Sequence, residues 1–367
     1  MDIFLDIYLE KNLGDDLFLI TVLEKYPQVN FHVFCQKDYQ SIVNEYPNLK
    51  VIRLNKYFNY FLAKSKLKIA WIQSYLRRQK ISAYLCIGGS IFMQSDNWRS
   101  MYQDRLKMWR FLDKQGIPLY ILGANFGPYQ DQEFIESYRQ AFRYAKDICF
   151  RDSYSYELFA DLAQVRQADD IVFGLNLPKL PKIDRSLGIS MIDLSSRPQW
   201  QAYQQAYLDQ VHHLINQALA EDYQVYLFSF CQSEGDEKAI NDLLSRMSQH
   251  SKVTPVYYRD NHKEFLGQFQ AMELIVATRF HSLILALLND QAILALNYSK
   301  KTQNIIDDHH LPLEAYSLTE IQQIAWDAWL SHFKSAGCSV DQQIQSSHQQ
   351  FLSLDRLIEG EEHDEIN

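Results

Sequence analysis

Short apolar runs alternate with amphipathic stretches along most of the 367-residue chain. The apolar runs have the length of buried strands, and the stretches between them have the period of helices. Expected strands lie at 2–9, 30–35, 49–54, 81–87, 118–123 and 147–151, and then at 187–193, 223–230, 253–258, 272–277 and 292–297. Expected helices lie near 15–25, 38–45, 61–79, 99–115, 131–145, 153–162, 203–220, 236–247, 262–269, 281–289, 301–308, 318–333 and 340–358. This alternation is typical of α/β proteins whose mostly parallel sheets carry helices on both faces.

Two prolines, Pro178 and Pro181, interrupt the alternation, and neither a helix nor a central strand tolerates such a pair. The predicted organisation is an N-terminal α/β domain over 1–178, a linker over 179–185, a C-terminal α/β domain over 186–335, and a terminal helix with an acidic tail over 336–367. Two such domains leave a cleft between them. Ligands of parallel sheets bind outside the carboxyl ends of the strands.

Charge is distributed unevenly along the chain. No aspartate or glutamate occurs from Tyr46 to Ser95, a stretch rich in lysine, arginine and aromatic residues, although the whole chain carries a net charge of −9. This basic-aromatic stretch (46–95) is either a solvated face or a surface that binds anionic lipid. Single-stranded nucleic acid would also suit it, but the acidic remainder argues against a nucleic-acid partner.

Several functional classes lack their signatures. Five cysteines stand singly, which favours a reducing, cytoplasmic compartment, and we find neither the shape of a signal peptide nor an apolar run near the roughly 18 residues of a membrane span. The motifs of zinc proteases, P-loop enzymes, α/β-hydrolases and dinucleotide-binding proteins are missing. No D-x-D pair, which many sugar-nucleotide enzymes use to hold a divalent metal, occurs either, and the sequence offers no obvious metal-ligand set, so we expect no metal site.

Polar residues that suggest chemistry stand where strands lead into helices. Arg279 and His281 lie between an expected buried strand and an apolar helix, where free N–H groups and the helix dipole favour anions. An arginine adds a fork for carboxylate or phosphate, and a histidine adds a titratable proton donor. A structural histidine beside a surface arginine is the alternative. We favour the functional interpretation because both residues interrupt an otherwise apolar segment.

The next expected strand ends in a similar way. Tyr298, Lys300 and Lys301 follow it, about twenty residues beyond His281. Neighbouring strands of a parallel sheet end at the same edge, so either lysine can face the same anion pocket. A solvated lysine pair is the alternative at this position.

The first domain offers further candidates at its strand ends. Arg151 closes the strand 147–151, and glycines at Gly88-Gly89 and in 123–128, which contains Asn125 and Gly127, would let backbone N–H groups approach a ligand. Turns need glycine anyway, so each glycine alone is weak evidence.

The loop after the first expected strand contains Asn12 and Asp15. Both residue types are frequent at the start of a helix, where they satisfy free backbone N–H groups. This segment is therefore either a helix cap or part of a ligand loop.

Taken in order, these segments resemble the polysaccharide pyruvyl transferase family. The matching stretches are NLGDD (12–16), IGGSIF (87–92), GANFGP (123–128), FRDSYS (150–155), RFHSLI (279–284) and NYSKK (297–301). The resemblance implies two Rossmann-like domains facing a cleft, similar to the GT-B glycosyltransferase architecture. It also implies transfer of the enolpyruvyl unit of phosphoenolpyruvate onto a sugar of a capsule or exopolysaccharide precursor, as a pyruvate ketal. By position it marks Arg151, Arg279 and His281 as donor-site residues, with Lys301 as a further candidate.

The implied chemistry suits these residue types. Phosphoenolpyruvate carries a carboxylate and a phosphate, which arginines bind in bidentate fashion, and His281 would serve as general acid or base. We expect phosphoenolpyruvate as co-substrate, no other cofactor, and an acceptor saccharide linked to lipid at an anionic membrane surface. The alternatives are a nucleotide-sugar glycosyltransferase of the same architecture and a non-catalytic scaffold of a capsule-assembly complex.

Overall fold

The computed structural model describes residues 1–65, 67–247, 252–298, 300–332 and 339–360. The chain divides into two compact units, each with its own parallel sheet. Unit 1 consists of Met1–Leu9, Phe18–Gly174 and the chain from Gln343 onward, and unit 2 consists of Glu10–Leu17 and Leu175–Gln342. Each unit therefore contains a segment that lies far away in the sequence.

Unit 1 alternates strands and helices. Its strands are β1 (Asp2–Asp6), β2 (Asn30–Phe34), β3 (Leu49–Ile52), β4 (Ala83–Ile87), β5 (Leu119–Ala124), β6 (Asp147–Phe150) and β7 (Val165–Gln167). The helices are α1 (Leu13–Lys25), α2 (Gln40–Glu45), α3 (Lys56–Lys64), α4 (Lys68–Gln79), α5 (Trp98–Gln115), α6 (Gln132–Phe142) and α7 (Ser153–Glu157), followed by a 3₁₀ helix at Ile171–Gly174. Helix α1 begins in the part of the chain that belongs to unit 2.

Unit 2 repeats the scheme. Its strands are β8 (Ser186–Ser190), β9 (Gln224–Ser229), β10 (Val253–Tyr257), β11 (Leu274–Ala277), β12 (Ala292–Asn297) and β13 (Glu314–Ser317). The helices are α8 (Gln204–Ala220), α9 (Asp236–Leu244), α10 (His262–Gln270), α11 (Phe280–Leu288), α12 (Lys300–Asp308) and α13 (Trp326–His332), with 3₁₀ helices at Gln201–Tyr203, Gln232–Glu234 and Leu318–Gln323.

Both sheets have the same strand order. Among the described residues, the sheet of unit 1 runs β3-β2-β1-β4-β5-β6-β7 and that of unit 2 runs β10-β9-β8-β11-β12-β13, with every pairing parallel. The order reverses between β1 and β4 in unit 1 and between β8 and β11 in unit 2. Such a reversal opens a crevice at the carboxyl ends of the strands, where ligands of this fold bind.

The α/β architecture expected from the alternation is confirmed, with local corrections. The single helix expected over 61–79 is two helices, α3 and α4. Helix α3 begins earlier than expected, where the Asn55 side chain accepts the N–H groups of Tyr57 and Phe58 and caps it. Helix α7 ends at Glu157 rather than near 162, and the predicted strand at 2–9 ends at Asp6.

The C-terminal segment, which the sequence analysis set apart over 336–367, contributes to unit 1. Instead of one helix over 340–358 it forms α14 (Asp341–His348), a 3₁₀ helix at Gln349–Phe351 and α15 (Leu352–Glu359). The buried Gln350 side chain accepts the N–H of Gly123 at 2.9 Å and donates to the carbonyl of Ala168 at 2.9 Å. These bonds satisfy backbone groups inside unit 1. Most of the predicted acidic tail, residues 361–367, lies outside the described residues.

Candidate active site

The crevice of unit 2 is organised by Ser190, the last residue of β8. Its Oγ accepts the N–H groups of Thr278 and Arg279, each at 2.9 Å, and lies 2.9 Å from Ser282 Oγ. These bonds fix the backbone that leads from β11 into α11. As a result Arg279 is the N-cap residue of α11, and His281 lies in the first turn of that helix.

Arg279 is held by two carboxylates. Its side chain is buried, and its two terminal nitrogens donate to Glu234 and Asp236. Asp236 also accepts the N–H groups of Phe230 and Cys231, each at 3.0 Å, so the loop after β9 is built around this ion pair. A buried guanidinium requires such partners, because an isolated charge is strongly disfavoured away from water.

The two carboxylates differ in exposure. Asp236 is fully buried, whereas the Glu234 side chain is 30% exposed and also accepts a hydrogen bond from Arg197 at 2.6 Å. Burial alone would raise the pKa of Glu234, but the guanidiniums of Arg279 and Arg197 lower it to about 2. Glu234 is therefore ionised at neutral pH and shared between two arginines.

The N-terminal segment 10–17 completes this cluster, although the sequence analysis placed it in the first domain. The N–H of Leu13 donates to the carbonyl of Phe230 at 3.0 Å, and the Asn12 amide reaches Glu234 at 3.3 Å. The buried carboxylate of Asp16 accepts the hydroxyl of Tyr258 at 2.6 Å. Residues 10–17 belong to unit 2 because their polar groups find partners on the loops after β9 and β10.

Asn12 also caps α1. Its side-chain oxygen accepts the N–H of Gly14 at 3.1 Å, which agrees with the helix-cap interpretation of this segment. Asp15 lies half-buried in the first turn of the same helix. An acidic residue at this position interacts favourably with the positive end of the helix dipole.

Gly14 leaves the space that the His281 ring occupies. A side chain at position 14 would put a Cβ 2.7 Å from His281 Cε1 and 2.9 Å from Cγ, and closer still to Nδ1. The half-buried imidazole therefore lies directly against the Gly14 backbone, and the Phe280 ring lies 5.2 Å from it between centroids. Only glycine leaves room for the ring in this position.

The neighbouring strand brings two more predicted residues to the same edge of the sheet. Strand β12 pairs with β11, and Lys301 and His281 each stand four residues beyond the end of their strand, in the first turn of the helix that follows. The Tyr298 ring lies 5.2 Å from Arg197 Cζ, which links it to the arginine–glutamate cluster. The side chain of Lys300 lies outside the described residues.

In unit 1, the loops after β4 and β5 meet at Arg151. The buried Arg151 guanidinium donates to Asp170 at 2.7 Å and to the side-chain oxygen of Asn125 at 2.8 Å. It lies over Gly89, where a Cβ would be 2.6 Å from its atoms, and the N–H of Asn125 donates to the carbonyl of Gly89 at 2.7 Å. Thus the structure brings Gly89, Asn125 and Arg151 together.

Gly88 and Gly127 serve these loops through their backbone. Gly88 has φ of 142° and Gly127 has φ of 96°, a region that side chains other than glycine rarely adopt. They shape the turns that carry Gly89 and Asn125. Arg151 lies in unit 1, and Arg279 and His281 lie in unit 2; that the three act on one ligand stays a prediction.

The acidic partners of the two arginines were not predicted from the sequence. Asp170 binds Arg151, and Glu234 and Asp236 bind Arg279. We expected the guanidinium groups of both arginines to be available to an anionic ligand. Instead, terminal nitrogens of both groups donate to carboxylates of the protein. Among the described residues, no group of three histidine, cysteine, aspartate or glutamate side chains is placed to hold a metal ion.

The Arg151–Asp170 pair predicts a large stability effect. Replacing Arg151 with glutamine leaves Asp170, whose side chain is 1% exposed, without its counter-charge, so the free energy of unfolding should fall by about 3–5 kcal/mol. Urea denaturation, monitored by circular dichroism, measures this change in the free energy of unfolding. Arg99→Gln is the matched control, because Arg99 pairs with Glu133 at the surface and its loss should leave the transition nearly unchanged. Equal effects of the two substitutions would contradict the structural role of Arg151.

Comparison with known proteins identifies the family. The model of a family described as polysaccharide pyruvyl transferase matches residues 12–300. Among solved structures, a putative UDP-N-acetylglucosamine 2-epimerase from Listeria monocytogenes superposes with a TM-score of 0.63 at 11% identity, covering 98% of this chain and 96% of that chain. The structure of S. aureus MnaA with UDP superposes with a TM-score of 0.61 at 10% identity, covering 98% of this chain and 96% of that chain. Anabaena HepE in complex with UDP and glucose superposes with a TM-score of 0.59 at 13% identity, covering 98% of each chain.

These results settle the fold and the family. At such low identity the structural likeness shows the fold alone, and it confirms the expected similarity to the GT-B architecture of two Rossmann-like domains. The family match covers five of the six motifs and all of the sixth except Lys301, so the resemblance seen in the motifs is confirmed as well.

Proposed function

Because the chain belongs to the polysaccharide pyruvyl transferase family, we propose that it transfers the enolpyruvyl group of phosphoenolpyruvate onto a saccharide and forms a pyruvate ketal. The observation that carries the proposal is the crevice of unit 2, where His281 lies in the first turn of α11 beside a cluster of buried charges. A helix N-terminus at the reversal point of a parallel sheet favours an anionic ligand.

The donor's anionic groups need cations at this edge of the sheet. Lys301 stands in the first turn of α12, and Arg197 and Arg279 share the partly exposed Glu234. Asp236 is too deeply buried for a ligand to replace it. We therefore expect the donor phosphate or carboxylate to compete with Glu234 for an arginine, because bidentate contacts to such groups suit a guanidinium.

His281 is the residue we assign to proton transfer. A proton is added to the methylene carbon of the donor, and a sugar hydroxyl forms a bond to the adjacent carbon as that hydroxyl loses its proton. The C–O bond to phosphate then breaks, inorganic phosphate leaves, and a second hydroxyl closes the ketal and releases its proton. An imidazole is suited to donating and accepting these protons near neutral pH. Cationic groups nearby stabilise the departing phosphate.

We propose that the acceptor is a saccharide linked to lipid. The support is the basic-aromatic stretch 46–95 of unit 1, which contains no acidic residue, in a chain whose net charge is −9. A surface of this composition is attracted to anionic lipid at the cytoplasmic face of a membrane. We accordingly propose a cytoplasmic enzyme that works at the inner face of the membrane.

A ligand screen tests the donor. Saturating phosphoenolpyruvate should raise the thermal midpoint of the wild-type protein, since a ligand at one hundred times its Kd stabilises the folded state by about 2.7 kcal/mol. Pyruvate and inorganic phosphate are the controls, because each offers only one of the two anionic groups and should stabilise less. Stabilisation by UDP-sugars with none by phosphoenolpyruvate would overturn the donor assignment and favour a nucleotide-sugar glycosyltransferase.

A further inference from the structure

We propose that helices α3, α4 and α5 of unit 1 form a docking surface for an anionic lipid bilayer. In this arrangement the exposed rings of α3 enter the bilayer interface, and a lipid headgroup phosphate lies in a basic groove between α4 and α5. The purpose of the surface, bringing the enzyme to a lipid-linked acceptor, rests on the proposed function. The binding itself does not depend on any chemical step.

Four aromatic rings of α3 face solvent. Tyr57 is 83% exposed, Tyr60 66%, Phe61 56% and Phe58 42%. Tyr57 lies three residues before Tyr60 and four before Phe61, so these three rings share one side of the helix. The Phe58 ring stacks on Phe61 at 6.4 Å between centroids, and Lys64 lies 6.0 Å from the Tyr60 ring. A soluble surface rarely exposes so many large rings together, and such a patch marks an interaction site.

A basic groove lies next along the chain. The structure has a cavity of about 460 Å³ between α4 and α5. Four of its nine lining residues are basic, none of the nine is acidic, and the bases are Arg77, Lys107, Arg110 and Lys114. Its α4 wall starts at Ile69, just after the exposed Leu67 and Lys68 that follow α3.

The charges in the groove remain available to a ligand. Arg77 donates its Nε–H to Gln115 at 2.9 Å, and its Cζ lies 4.9 Å from the Phe111 ring centroid. Arg110 donates its Nε–H to the hydroxyl of Tyr144 at 3.3 Å. An amide, a ring and a phenol hold these guanidiniums in place without neutralising them, in contrast to the carboxylates that hold Arg151 and Arg279.

The acidic residues nearby are few. Helix α5 has two, Asp104 and Asp113, against five bases, of which Arg99 is paired with Glu133. Asp104 lies 3.7 Å from Lys107 in an exposed pair, which screens the lysine charge only weakly. The groove and the surface around it are therefore attractive to an anion.

An anionic bilayer suits both the exposed rings of α3 and the basic groove between α4 and α5. It presents phosphate groups at its surface and apolar material a few ångströms below, and tyrosine and lysine side chains are suited to that boundary because they combine an apolar body with a polar end. No helix among the described residues is long and apolar enough to span a membrane.

Vesicle binding tests this surface in the full-length protein. Wild-type protein should sediment with phosphatidylcholine vesicles that contain phosphatidylglycerol and stay in the supernatant with phosphatidylcholine alone. The double variant Arg77→Gln/Lys114→Gln should bind the anionic vesicles roughly 25-fold more weakly, because each base near the surface contributes about a fivefold factor. Tyr57→Ser should weaken binding several-fold as well, because it removes a ring from the interface.

Matched variants keep the test specific. Arg246→Gln/Lys252→Gln removes two exposed bases from unit 2, and Tyr154→Ser removes an exposed ring outside α3; both should bind like wild type. Unchanged binding of the groove variant, or binding to neither vesicle by the wild type, would overturn the proposal. So would saturable binding of inorganic diphosphate to the groove without binding to vesicles. A protein that docks on vesicles but does not transfer the pyruvyl group would contradict only the proposed reaction.

Discussion

Replacing His281 with alanine is expected to lower the turnover of pyruvyl transfer from phosphoenolpyruvate by 10²- to 10⁴-fold, the usual contribution of a positioned general acid or base. The KM for phosphoenolpyruvate should change little, because the cationic groups at the crevice stay in place. The ring fills a pocket against Gly14, so circular dichroism and the thermal midpoint need to be compared with wild type. Steady-state release of inorganic phosphate with a saccharide acceptor measures the turnover.

His213→Ala is the matched control for His281. His213 is an exposed residue of α8, and its loss should leave turnover unchanged. A His281→Ala protein that folds normally and turns over within a few-fold of wild type would contradict the assignment of proton transfer to this imidazole. A large increase in KM at constant turnover would instead make His281 a residue that binds the donor.

The architecture was predictable from sequence because strands of a parallel sheet are buried on both faces and appear as apolar runs. Strand β11 is the simplest case, since all four residues of Leu274–Ala277 are buried. The missed strands lie at the edges of the sheets. Strand β7 has the sequence VRQ and β13 has EAYS, so neither is long or apolar enough to produce the pattern.

The site was predictable only in part. Arg279 and His281 were selected as candidates because polar residues stand out between an apolar strand and an apolar helix; their catalytic role stays a prediction. Asp236, which holds Arg279, lies 43 residues away in the sequence, and no periodicity connects two loops that meet only because β8 lies between β9 and β11 in the sheet. Segment 10–17 was placed in the wrong unit for the same reason, since its contacts with the loops after β9 and β10 depend on tertiary structure.

Gly14→Ala is expected to reduce turnover by about 100-fold or more without removing any reactive group. The added methyl would lie within 2.9 Å of three atoms of the His281 ring, so the imidazole has to move. A displacement of about 1 Å at a catalytic group is enough for a loss of this size. Because the ring moves rather than disappears, phosphoenolpyruvate should still raise the thermal midpoint of the variant, and the pH profile of the residual activity should change.

Gly267→Ala is the matched control for Gly14→Ala. Both glycines are helical residues that belong to unit 2, but the nearest atom to a Cβ at position 267 is Leu180 Cδ1, at 4.0 Å, which is ordinary van der Waals contact. Alanine in a helix is more favourable than glycine by roughly 0.5–1 kcal/mol, so Gly267→Ala should be slightly more stable than wild type and fully active. If Gly14→Ala were equally active, the close approach of His281 to the N-terminal segment would have no catalytic importance. If Gly14→Ala lost activity only together with its fold, the double variant Gly14→Ala/His281→Ala would distinguish the two effects, because relief of the steric clash should restore stability while turnover stays low.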